Sequence, residues 1–152
     1  MARLADRQAF ERYAAQAQAR WERLWAGDRW IISVGISECS IAKGALETYR
    51  HLELLLAQEG IPATLRRVGC AGWCFAEPFV EVRAPGAPPV VYGNITTDRV
   101  PELVHALKRG EVKTEWALGV RADEPFAGVR PLSQHPFLAR QRRVLFADAG
   151  VI

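Results

Sequence analysis

Apolar residues recur at three- and four-residue intervals across positions 4–26, at Phe10, Tyr13, Ala17, Trp21 and Leu24. That spacing predicts an amphipathic helix with one apolar stripe, closed by Gly27 and Asp28. Such a stripe is expected to lie on the domain that follows or on a partner subunit. The largely apolar Trp30-Ile-Ile-Ser-Val34 predicts a short buried strand, and a loop over 35–38 leads to Cys39. Ser40 is placed to cap a second helix whose inner face is Ile41, Ala45, Tyr49, Leu52 and Leu56, stopped by Gly60 and Pro62. Residues 63–68, 79–83 and 90–92 predict three more strands, the last two joined by a Pro- and Gly-rich turn at 85–89. Thr96 or Thr97 is the expected cap of a final helix, with Asp98 at its positive end. Pro101 falls in its first turn, Val100, Leu103, Val104 and Leu107 form its apolar face, and Gly110 ends it.

The element order is therefore helix, then β-α-β-β-β-α. Strands flanking a helix are expected to be parallel, joined by a right-handed crossover, and the next two are close enough to form a hairpin. This describes an α/β, thioredoxin-like sandwich: a four-stranded mixed sheet, an added N-terminal helix and an extended C-terminal tail. The expected organisation is an N-terminal helix over 1–28, the sandwich over 29–118 and a linker or tail over 119–152. Pro125, Gly128, Pro131 and Pro136 mark the tail as extended, with a short helix expected over 137–146.

Composition sharpens this picture in three ways. With 152 residues, 49% apolar and 24% charged, the chain can bury a core of one domain plus extensions. No apolar run approaches the ~18 residues of a membrane helix, so no membrane span is expected. The charged N-terminus lacks the apolar core of a secretory signal, and a cytoplasmic location is the default expectation. The net charge of +3 comes largely from Arg121, Arg130, Arg140, Arg142 and Arg143, a solvated or partner-facing tail. No nucleic-acid-binding motif accompanies these arginines, so no nucleic-acid partner is expected.

The candidate chemistry lies in Val68-Gly-Cys-Ala-Gly-Trp-Cys-Phe-Ala-Glu-Pro78, where Gly69 and Gly72 punctuate a loop carrying Cys70 and Cys74. Cys39 also follows a strand, so all three cysteines of the chain sit just past strand ends. Three thiols suit a disulfide framework poorly. A [2Fe–2S] cluster needs four protein ligands, and Gly69, Gly72 and neighbouring N–H groups could hydrogen-bond its sulfurs. Ser33 is one candidate for the fourth position; a water, a histidine or another subunit's residue are others. Trp73 would shield such a cluster, contact a partner, or simply pack over the loop. Zinc on three cysteines and a histidine is chemically reasonable, but His51, His105 and His135 are expected on segments facing away. A Cys70–Cys74 redox disulfide, or cysteines acting only as small buried hydrophobes, are the remaining readings.

The residues Cys39-Ser-Ile-Ala-Lys-Gly-Ala45, Val68-Gly-Cys-Ala-Gly-Trp-Cys74, Glu77-Pro-Phe-Val-Glu-Val82 and Val91-Tyr-Gly-Asn-Ile-Thr96 resemble the thioredoxin-like [2Fe–2S] ferredoxin family. More closely, they resemble the N-terminal module of the NADH-binding flavin subunit of NADH-linked hydrogenases, formate dehydrogenases and NADH:quinone oxidoreductase-type complexes. The family pattern is C-x4-C followed by C-x3-C. Cys39 matches its second cysteine, Cys70 and Cys74 match the last pair, and Ser33 lies near the place of the first. The resemblance implies a one-electron carrier whose metal ligands are Cys39, Cys70, Cys74 and Ser33. Its implied partners are other subunits or domains of an NADH-linked redox complex. Residues 136–152 resemble the connector that leads into the flavin domain of such subunits. No glycine-rich loop of the G-R-G-G-x-G-F type occurs, so no FMN or NAD site is expected in this chain. The competing expectation is a cluster-free thioredoxin-fold docking domain for subunit assembly.

Overall fold

The computed structural model describes residues 6–144 and 149–150. A long helix α1 (Arg7–Trp25) precedes β1 (Trp30–Gly35), two consecutive helices α2 (Glu38–Ala42) and α3 (Ala45–Gln58), and β2 (Ala63–Val68). Strands β3 (Val80–Arg83) and β4 (Val90–Tyr92), helix α4 (Val100–Lys108) and β5 (Ala117–Val120) follow. One mixed sheet orders these strands β2-β1-β3-β4-β5. As the connection lengths require, β1 and β2 are parallel while β3 and β4 pair antiparallel.

The sheet has two differently furnished faces because side chains alternate along each strand. Ile32, Val34, Val80, Val82, Val90, Tyr92 and Val120 pack with Leu52, Leu56, Leu103, Val104 and Leu107 of α3 and α4. The apolar face read for α4 is buried in full, and Thr48 of α3 donates its hydroxyl proton to the Ile95 carbonyl at 2.8 Å. On the opposite face the register sets Arg66, Ser33, Glu81, Val91 and Gly119 side by side. There the smaller cluster Val68, Ala71, Trp73, Ala76, Phe79, Val91 and Leu132 gathers under the cysteine loop.

Four expectations change. The sheet has five strands rather than four. The fifth, Ala-Leu-Gly-Val, carries no strong strand signal, and it exists because the following chain folds back on it. Val120 N–H donates to the Arg130 carbonyl at 2.9 Å, and Val129 and Leu132 are buried. Gly119 permits that return, since a Cβ there would stand 2.5 Å from Leu132 Cα. Next, the helix expected from Ser40 onward is broken at Lys43 and Gly44, which adopts φ +88°. Ser40 is not its cap: Ser37 is the N-cap of α2, and Ser40 Oγ accepts the Ser37 N–H at 2.6 Å from inside the first turn.

The third change is at α4, whose N-cap is Arg99 rather than Thr96 or Thr97. Thr96 instead donates its hydroxyl proton to Asp98, a local bond that builds a turn ahead of the helix. The aromatic stripe of α1 lies on the domain only at its C-terminal end; none of its residues is buried, and Phe10 and Tyr13 are exposed. The helix is held through its last turns, where the Arg66 guanidinium lies over Trp21 and Trp25 and that of Arg83 over Trp25. Of the helix expected over 137–146, positions 145 and 146 lie outside the described residues, and 136–140 form turns instead. The same holds for the expected start of α1 at Leu4, which lies outside the described residues.

Candidate iron–sulfur site

The thiols come from two connections that leave neighbouring strands on the same edge of the parallel pair. After β1 the chain runs two residues, Ile36 and Ser37, and enters α2, whose second residue is Cys39. After β2 it runs through Gly69, exposed at the start of the loop, to Cys70, and then to Cys74 in a single 3-10 turn, Cys74–Ala76. Because β1 and β2 are parallel and register Gly35 against Val68, both connections emerge at one end of the sheet.

This brings Cys39 and Cys74 together. A hydrogen bond with the Cys39 thiol, reinforced by its charge, pushes the Cys74 thiol above its ordinary value. Lys43, freed from helical packing by the break before Gly44, reaches across and donates its ammonium to the Cys74 carbonyl at 2.8 Å. Cys70 makes a different contact. Gly72, at φ +74°, turns its backbone so that its N–H donates to Cys70 Sγ at 3.2 Å. That is the kind of N–H to sulfur bond by which a protein stabilises thiolate and tunes a cluster. All three cysteines are free and exposed, which excludes the reading of cysteines as small buried hydrophobes and shows no Cys70–Cys74 bridge.

Among the described residues, no three His, Cys, Asp or Glu side chains gather closely enough to hold a metal ion, so neither the zinc set of three cysteines and a histidine nor the expected trio of Cys39, Cys70 and Cys74 is assembled. Ser33 stands apart in environment. It is 2% exposed, within β1 between Arg66 and Glu81, whereas the thiols lie in exposed loops.

Trp73 packs beneath the loop, as the reading of a residue packed on the loop has it. It is buried, with its ring edge-on to Phe79 at 5.2 Å and the guanidiniums of Arg121 and Arg143 lying over it at 5.5 and 5.7 Å. The arginines read as a solvated tail are thus split in role. Arg121 pairs with buried Glu81, and Arg143 Nη2 donates to the Ala71 carbonyl at 2.6 Å, tying the tail to the cysteine loop. Glu77 closes the loop with its Oε2 accepting the Phe79 N–H at 3.2 Å. Burial pushes its carboxyl up, opposed by that hydrogen bond and by the charge of Lys43.

One neighbour was missed. His135, expected to face away, stacks on Phe75 with ring centroids 5.6 Å apart, and Phe137 lies 4.7 Å from the same ring. Burial and the Arg130 charge hold the His135 imidazole below its ordinary range. Only the cluster of Pro, His and Phe at 135–137 hinted at this, because the return of the tail is a tertiary event.

No family model matches the chain. The NADP-reducing hydrogenase subunit HndB of Solidesulfovibrio fructosivorans is 32% identical over 126 residues, which span 82% of this chain and 90% of that protein. Among solved structures, a thioredoxin-like [2Fe-2S] ferredoxin from Aquifex aeolicus superposes with a TM-score of 0.54 at 18% identity, over 63% of this chain and 96% of that one. A second structure of the wild-type ferredoxin from that organism gives 0.52 at 20% identity, over 61% of this chain and 99% of the other. These ferredoxins share the fold, and among the described residues no helix is long and apolar enough to cross a membrane. The chain belongs to the family of the NADP-reducing hydrogenase subunit HndB and carries the thioredoxin-like fold of the [2Fe–2S] ferredoxins.

Proposed function

We propose that this chain is an electron-transfer subunit of a nicotinamide-linked redox complex of the hydrogenase type, with an iron–sulfur group on the Cys39, Cys70 and Cys74 edge. The observation that carries this reading is that Cys39 and Cys74 lie on two separate connections that emerge at one end of the sheet, near enough for the Cys39 thiol to shift that of Cys74. The donor set suits the group in its chemistry: free exposed thiols, an N–H aimed at sulfur, and an ammonium beside the loop. Cys39, Cys70 and Cys74 would hold it, and a [2Fe–2S] group would supply one-electron transfer. Gly72 N–H would bond the Cys70 sulfur, the exposed Gly69 would lie at the loop entrance, and Trp73 would wall the site from beneath. With Ser33 buried in β1, the reading takes the fourth ligand from solvent or from a partner subunit.

The three-thiol set favours one second reading, a cluster-free docking subunit of the same kind of complex. Anaerobic purification with a visible spectrum and an iron count separates the two. A reddish-brown protein with about two irons per chain, lost in Cys70→Ala, is the expected result. A colourless, iron-free and fully folded protein overturns the electron carrier and leaves the docking subunit.

A further inference from the structure

Beside the thiols the surface carries an apolar step that the electron-transfer reading does not use. Phe75 directly follows Cys74 and is 45% exposed, and Phe137, packed against it, is 46% exposed. His135 stacks on the same Phe75 ring, with the two planes 25° apart. Two phenylalanines in contact, both left about half in water, forgo part of the ~1.5–3 kcal/mol that full burial of each would contribute. A rigid aromatic pair of this kind has the character of an interface anchor.

Cations outnumber carboxylates among the exposed residues beside it in sequence, where Glu38 next to Cys39 is the exposed acid. Lys43 borders the step through its bond to the Cys74 carbonyl. Beyond Phe137 the chain presents Arg140 and Arg142, both exposed. Between Glu124 and Asp148 the sequence holds Arg130, Arg140, Arg142 and Arg143 and no acidic residue. Glu77, the carboxylate closest in sequence to Cys74, is buried and does not face outward.

The geometry points to the Phe75–Phe137 step, rimmed by Lys43, Arg140 and Arg142, as the docking surface for an acidic face of a partner redox subunit. This inference rests on the electron-transfer reading for the partner's class, and on the surface alone for its chemistry. Aromatic anchors next to exposed thiols would bring the partner's acceptor close to the site. The cationic rim would steer an acidic face to it and repel a basic one. A single-stranded nucleic acid also stacks on aromatics beside arginines; the placement against the thiols favours a redox protein.

The test places the photo-crosslinking residue p-benzoylphenylalanine at position 75 or 137 of the full chain in its native cell, with position 10 on exposed α1 as the control. Crosslinked peptides are identified by mass spectrometry, and circular dichroism confirms the fold of each variant. The expected product is a subunit of a redox complex joined through a peptide rich in Asp and Glu. Its yield should fall about tenfold in Arg140→Glu with Arg142→Glu. A linked peptide without net negative charge, a nucleic-acid adduct, a yield indifferent to charge reversal, or no adduct at 75 and 137 overturns the inference. An iron count on the same samples keeps the two readings apart. An acidic redox partner without iron upholds the surface and sinks the electron carrier, while iron without an adduct does the reverse.

Discussion

Replacing Arg121 by Met tests how the face under the cysteine loop is held. Glu81 is buried within β3, its side chain 5% exposed, and Arg121, 25% exposed, is its ion-pair partner through Nε. Removing one member of a buried pair strands the other charge, at a cost of about 3–5 kcal/mol. Arg66 lies on the same face, and the Glu81 charge opposes the lowering that burial imposes on its guanidinium. A second cation therefore remains near the carboxylate, and the expected loss is at the low end, about 3 kcal/mol. With a urea m-value of about 2 kcal/mol/M, the unfolding midpoint should fall by about 1.5 M. Tryptophan fluorescence should follow the same transition, because the Arg121 guanidinium also lies over Trp73. The double variant Glu81→Leu with Arg121→Met removes both charges and should recover to within about 1 kcal/mol of the parent. A loss below 1 kcal/mol in the single variant, or a double variant as unstable as the single, refutes the charge-compensation argument.

Two further outcomes follow from the packing and the titration of the loop. Gly35→Ala would set a Cβ 2.2 Å from Phe79 Cε1. Phe79 is fully buried against Trp73, so the overlap should cost about 1–3 kcal/mol and alter the near-ultraviolet spectrum of Trp73; an unchanged spectrum and melting temperature would show that Phe79 does not brace the loop. Glu77 has its carboxyl raised from 4.5, so the folded state holds its proton more tightly than the unfolded state. The stability this group contributes is fully present below 4.5, where both states are protonated, and is lost as pH rises from 4.5 through the raised folded value. Glu77→Gln should remove that part of the slope in urea midpoints measured from pH 4 to 8, and superimposable profiles for the two proteins would contradict it.

Most elements were readable because local physics dictates them. The largely apolar run of β1, the period of α4, the glycine stop after α3 and the prolines before β4 depend on nearest neighbours alone. The cysteine loop was readable for the same reason, since Cys39, Cys70 and Cys74 follow strands that a parallel pair must place at one edge. The parts that resisted depend on chain segments meeting at a distance. β5 is a strand because Leu132 and Val129 return to it, and Gly119 leaves the space. The helical break at Gly44 sends Lys43 to the Cys74 carbonyl, a contact with no local signature.

The sequence by itself determined the α/β order, the parallel pair and the edge on which the thiols lie, because periodicity and turn chemistry act over a few residues. Only the tertiary structure decided that Cys39 meets Cys74 while Ser33 is buried apart, that Trp73 packs beneath the loop, and that His135 and Phe137 come to Phe75. Those outcomes turn on where the tail closes and which side chain wins each face of the sheet. That competition among distant surfaces for burial and charge compensation is one that no local pattern records.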